Sequence, residues 1–116
     1  MNFGQERRKY PRYVLREGAF AGSHPNIGGI VDISLGGILF HYLGIANTSQ
    51  EFGDFVICGD DGFCLDDLSH RVISDRVLAG KSPFSKIITR ERRIEFKTIS
   101  DEQKRLLNSF IKNHTI

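Results

Sequence analysis

The chain has 116 residues, 40% of them hydrophobic and 26% charged, a size and balance that suit one soluble domain with a single core and leave too little for two. Its net charge of +2 is too small for general nucleic-acid binding, which needs a clustered basic face and a markedly higher pI. No apolar run approaches the roughly 18 residues of a membrane span. Met1 to Arg12 is polar and basic with no apolar stretch behind it, so no secretory signal is expected and the predicted location is cytoplasmic.

Residues 1–12 include Glu6-Arg7-Arg8-Lys9-Tyr10-Pro11-Arg12. They offer too little apolar area to offset an ordering cost of roughly 1 to 2 kcal/mol per residue. The expected organisation is therefore a flexible basic arm, 1–12, ahead of a β-rich domain, 13–116. Tyr13 to Ala21 reads as a first strand, closed by the loop Gly22 to Asn26, because Pro25 has no N–H for a ladder.

Ile30 to Phe40 is two β-like runs joined at Gly36-Gly37, where glycine is expected to supply φ > 0 and a bare backbone. The two-residue period of a strand puts Asp32 and Ser34 on one face and Val31, Ile33 and Leu35 on the other. Phe52 to Cys58 and Phe63 to Leu68 flank the turn Gly59-Asp60-Asp61-Gly62, a second hairpin signal. Arg71 to Leu78 alternates as a strand, with Ile73 and Val77 on one face and Val72 near the other.

Lys86 to Thr89 and Arg92 to Thr98 supply the last strand material. There Ile94 and Phe96 face one way, while Arg93, Glu95 and Lys97 face water. The cations Arg90, Arg92 and Arg93 are expected on a solvated strand face. About six short strands at near-even spacing predict an all-β antiparallel barrel, which removes exposed sheet edges. A C-terminal helix is predicted at about 100–113 from the capping box Ser100-Asp101-Glu102-Gln103. Its apolar stripe of Leu106, Leu107, Phe110 and Ile111 is expected to plug an open end of the barrel.

No nucleophile elbow, P-loop, zinc-hydrolase helix or Ser/His/Asp constellation occurs, so no enzyme is expected. Cys58 and Cys64 form no Cys-x-x-Cys pair. His24, His41, His70 and His114 have no ligand spacing with them, so no metal site or catalytic thiol is predicted, and the cysteines take small apolar roles. The distinctive chemistry is arginine near a glycine corner. A planar guanidinium matches phosphate or a guanine edge bidentately and stacks on a base, which is recognition rather than turnover.

Arg8-x-x-x-Arg12 followed by Asp32-x-Ser34-x-x-Gly37 resembles the paired signature of the PilZ domain, a bacterial receptor for cyclic di-GMP. The resemblance runs from about Glu6 to His114, with the middle of the chain unmatched. It implies a six-stranded antiparallel β-barrel with a C-terminal helix, in which Arg8 and Arg12 clamp guanine and phosphate and Asp32, Ser34 and Gly37 form the platform, with Gly36 beside them. Asp32 would accept from guanine N1–H and N2–H, Ser34 would add a hydroxyl, and Gly37 would let the ring approach the backbone. Arg7, just before the first motif arginine, would bias whether one ligand or a stacked pair is held.

The function so implied is a cyclic di-GMP receptor with no cofactor, which orders its arm on binding and signals to a downstream protein. Two other readings stand beside it. One is a small barrel binding single-stranded nucleic acid through Tyr10, Tyr13 and a basic groove. The other is a PilZ-like scaffold that binds only protein.

Overall fold

Alternating apolar and polar residues build one antiparallel sheet, closed off at the end of the chain by a helix. The computed structural model describes residues 9–23, 26–45, 54–78 and 87–116. Its elements are β1 (Phe20–Ser23), β2 (Asn26–Ile33), β3 (Gly37–Ile45), β4 (Val56–Cys58), β5 (Cys64–Leu65), β6 (His70–Val77), β7 (Ile87–Phe96) and α1 (Asp101–His114). The strand order is β5-β4-β1-β2-β3-β7-β6. The expected class, antiparallel β with one C-terminal helix, is what forms. The strands number seven rather than six, and their order runs open from β5 to β6 among the described residues. Phe52 and Lys86, at the ends of two expected strands, lie outside those residues. No helix among them is long and apolar enough to cross a membrane.

The first strand is shorter than the sequence suggests. Tyr13 and Leu15 each make a single bridge, to Ile33 and Thr115, and continuous pairing starts only at Phe20. Gly18 at φ 99° is the cause, since that conformation turns the chain out of an extended line.

The register explains the core. Ile33, Ile38 and Ile94 are aligned across β2, β3 and β7 and at most 1% exposed. Phe40, two residues further along β3, faces Phe55 with ring centroids 5.7 Å apart. Extra residues in β2 between Ile30 and Asp32, and in β6 between Val72 and Ser74, are bulges. The first lets Ile30 and Ile33 both reach the core although an odd number of positions separates them.

The alternation in β7 corrects the expectation for its cations. Residues at i and i+2 share a face, so Arg90 and Arg92 continue the inward face of Ile94 and Phe96 rather than a solvated one. Arg92 is 7% exposed. Its Nε and that of Arg90 each donate to Asp75 at 2.6 Å, Tyr42 Oη donates to the same carboxylate, and the Arg92 guanidinium lies 5.5 Å from the Tyr42 ring centroid. The sheet therefore holds an ionic cluster at one end of its inner face.

Helix α1 begins as the sequence predicts. Ser100 Oγ accepts from Gln103 N at 3.0 Å while Gln103 Oε1 accepts from Ser100 N at 2.9 Å, reciprocally satisfying two donors that the helix cannot. Leu107, Phe110 and Ile111 join the hydrophobic core with Leu106 packed against it, and Phe110 stacks on Phe63 at 5.2 Å. The stripe is core.

Cys58 and Cys64 are direct cross-strand partners in β4 and β5. Cys58 is half-buried and Cys64 exposed; burial first, then the neighbouring Cys64 thiol, push Cys58 up to about 11. Because only the thiolate is nucleophilic, iodoacetamide at pH 8 should modify Cys64 well before Cys58, checked by peptide mass mapping. Equal rates at the two positions would contradict this.

Candidate functional site

The N-terminal stretch reaches the glycine corner because Tyr13 pairs with the end of β2. Tyr13 N donates to Ile33 O at 2.8 Å and Ile33 N donates to Tyr13 O at 3.0 Å. This bridge lays residues 9–12 alongside Ser34 to Gly37. Together with β6 and β7 they line an open cavity of about 470 Å³ bordered by Lys9, Tyr10, Arg12, Ser34, Gly36, Gly37, Ile73, Arg93, Ile94, Glu95 and Phe96. A volume of this order suits a small-molecule ligand.

The corner is built by its own backbone. Ser34 N donates to Gly37 O at 2.9 Å, and Ser34 Oγ accepts from Gly36 N at 3.0 Å. Phe96 N donates to Gly36 O at 2.9 Å, tying the corner to β7. A serine hydroxyl carries one donor and two acceptor lone pairs, so this bond does not use the Ser34 proton.

Neither corner glycine uses the left-handed backbone that the sequence suggests. Among the described residues the glycines with positive φ are Gly18, Gly22 and Gly62. Contact is the reason instead: a Cβ on Gly37 would lie 2.3 Å from Ile94 O, and one on Gly36 would lie 3.0 Å from Tyr10 Cδ2. Gly37 lets β3 approach β7, and Gly36 lets the Tyr10 ring lie over the corner.

The positive charge in the cavity comes from two segments, the N-terminal stretch and β7. Arg12 is exposed, Lys9 Nζ lies 5.5 Å from the Tyr10 ring centroid, and Arg93 enters from β7. The one carboxylate of the lining, Glu95, accepts from Arg71 at 2.7 Å, so the cavity offers net positive charge to an anion. Asp32, Leu39 and Arg93 sit in one row across β2, β3 and β7. Arg93 reaches back along it, to 3.6 Å from Asp32 Oδ2. That separation is an ion pair rather than a hydrogen bond, so both groups retain hydrogen-bonding capacity.

No protein-family model matches the chain, and no curated protein matches it. Solved structures do. The chain superposes on the PilZ domain with c-di-GMP of YcgR from Escherichia coli at a TM-score of 0.67 and 19% identity, covering 92% of this chain and 90% of that one. The fold is that of a PilZ domain. The YcgR–c-di-GMP complex from Escherichia coli aligns at a TM-score of 0.61 and 19% identity over 92% of this chain and 45% of that one. The K. pneumonia MrkH–c-di-GMP complex aligns at 0.58 and 18% over 91% and 51%. The chain thus spans about half the length of those two proteins.

Within this PilZ fold, Arg12, Ser34, Gly36 and Gly37 line one cavity. Asp32, 19% exposed in its side chain, stands one step behind it through Arg93. Arg7 and Arg8 lie outside the described residues. Sequence reasoning missed Lys9, Tyr10 and Arg93 as lining residues. For Arg93 the signal was available, since the parity that sends Arg92 inward turns Arg93 to the face of Asp32. The strand pairing that makes them neighbours is a long-range fact that no local pattern carries.

Proposed function

We propose that the protein is a cytoplasmic receptor for cyclic di-GMP, acting by binding rather than turnover. The observation that carries this reading is the Tyr13–Ile33 bridge, which sets Arg12 beside Ser34, Gly36 and Gly37 in one cationic cavity. The likeness to PilZ domains bound to c-di-GMP supports the choice of ligand. The ligand's phosphates and guanine edges suit arginine forks, with Arg8 completing the clamp begun by Arg12 and Arg7 biasing one ligand against a stacked pair. Asp32 accepts from guanine N1–H and N2–H, and Ser34 donates its hydroxyl proton.

Calorimetric titration with cyclic di-GMP, against GMP, cyclic di-AMP and single-stranded oligonucleotides, tests the reading. Saturable binding of the first alone is expected. Preference for oligonucleotides would favour a nucleic-acid barrel, and no binding of any of them would favour a scaffold. Arg8→Ala or Arg12→Ala should each cost about 1 to 3 kcal/mol of affinity, roughly five- to 150-fold. Unchanged affinity in both variants would remove the arginines from the site.

Signalling in this proposal is ordering of the arm, residues 1–12, across the Asp32 face, which changes the surface shown to a downstream protein without altering the sheet. Pro11, whose φ is already fixed, limits the entropy lost between the two arginines. Trypsin should cut after Arg7, Arg8 and Lys9 quickly in the free protein and much more slowly with saturating ligand. Equal cleavage rates in the two states would sink this mechanism.

A further inference from the structure

At the turn between β4 and β5, three side chains from two distant parts of the sequence converge. His114, the last residue of α1, is 3% exposed. Its Nδ1 lies 2.8 Å from Phe110 O. A carbonyl only accepts, so this bond holds the proton on Nδ1 and aims the Nε2 lone pair outward. Nε2 is 3.5 Å from Asp61 Oδ2 and 4.0 Å from Asp60 Oδ1, and the three atoms lie within 4.8 Å of one another. The other Asp61 oxygen accepts from Phe63 N at 3.1 Å, which fixes that carboxylate in place. A Cβ on Gly59 would lie 2.6 Å from His114 Nε2 and 2.8 Å from Asp61 Oδ1, so glycine keeps the space between them clear.

An imidazole nitrogen and two carboxylate oxygens facing one another favour a positive species among them. Two metal bonds of about 2.0 to 2.1 Å at a tetrahedral angle hold their ligand atoms about 3.4 Å apart, close to the 3.5 Å between Nε2 and Asp61 Oδ2, while Asp60 at 4.0 Å is within a small side-chain rotation of the same spacing. The backbone carbonyl behind the imidazole is also the partner that metal-binding histidines use to fix their tautomer.

We propose that His114, Asp60 and Asp61 form a binding site for a zinc-class divalent cation, joining the end of α1 to the β4–β5 turn. One imidazole nitrogen and two carboxylates suit Zn²⁺ and Co²⁺ over Mg²⁺ and Ca²⁺, which prefer all-oxygen shells. The exposed carboxylates leave the fourth position to water. Neither sequence spacing nor the ligand site predicts this arrangement, because it depends on where α1 ends against the turn.

The test uses the full chain freed of metal with a chelator and then titrated with ZnCl₂ alone. Zn²⁺ should raise the melting temperature saturably, Mg²⁺ and Ca²⁺ should not, and Co²⁺ should give the visible absorption bands of a tetrahedral centre. The variant Asp60→Asn/Asp61→Asn alters only exposed side chains and should lose both responses. Cys58→Ser/Cys64→Ser should keep them, which separates this site from zinc capture by the nearby thiols. No saturable Zn²⁺ response in the parent protein, a response that survives in the double aspartate variant, or one that vanishes with the cysteines would each overturn the proposal.

Discussion

Asp75→Ala is expected to destabilise the fold by about 3 to 5 kcal/mol, the usual consequence of removing one partner from a buried ion pair. The Asp75 carboxylate, 15% exposed in its side chain, is shared by Arg90 and by Arg92, whose side chain is 8% exposed. Without it the Arg92 charge stays on the inner face of the sheet beside the Tyr42 ring and loses the carboxylate to which its Nε donates. Urea unfolding of parent and variant measures the loss, and a change below about 1 kcal/mol, the level of an exposed pair, would show that water reaches the cluster freely. Acid should reproduce part of the effect. Burial alone would raise Asp75, but hydrogen bonds from Tyr42, Arg90 and Arg92 outweigh it and hold the carboxyl below the ordinary range. A folded-state value below the unfolded one means that this contribution is present above about pH 4 and is lost as pH falls through the folded value. The acid limb of the parent's stability profile should therefore flatten in Asp75→Ala.

Phe110→Ala should cost about 3 to 5 kcal/mol, the range for deleting a large aromatic from a packed core. Phe110 is 1% exposed. It stacks on Phe63 at 5.2 Å and on His114 at 4.3 Å, so its loss opens a cavity between α1 and the β4–β5 turn. Denaturant unfolding monitored by far-ultraviolet circular dichroism gives the value. A loss below about 1 kcal/mol, or helix melting as a separate early transition, would mean that α1 merely rests on the sheet.

The parts of this molecule legible in the sequence are those whose cause is local. The α1 start was written in Ser100 and Gln103, and the β4–β5 hairpin in its Asp-Gly turn. Arg12, Ser34, Gly36 and Gly37 do line one cavity. Illegible were features that depend on which strands become neighbours. Arg92 looked like a surface cation until Asp75 of β6 lay opposite it across the ladder. Gly37 looked like a turn residue, yet it is glycine because Ile94 O of β7 would meet its Cβ. The short first strand had a local cause that went unread, since Gly18 interrupts an otherwise β-like run.

The segment just after the candidate site is sewn on two sides. Tyr13 is bonded to β2, while Arg16 N donates to His114 O at 2.8 Å and Ile116 N donates to Val14 O at 3.2 Å. Entry to and exit from the domain are thus a single seam, with residues 14–16 and 114–116 lying as neighbouring threads. A polypeptide fused after Ile116 would emerge within reach of Arg12, so a fluorophore placed there would act as a proximity gauge for the arm. A longer chain housing this domain would suspend it from one point of attachment, where residues 14–16 and 114–116 run side by side.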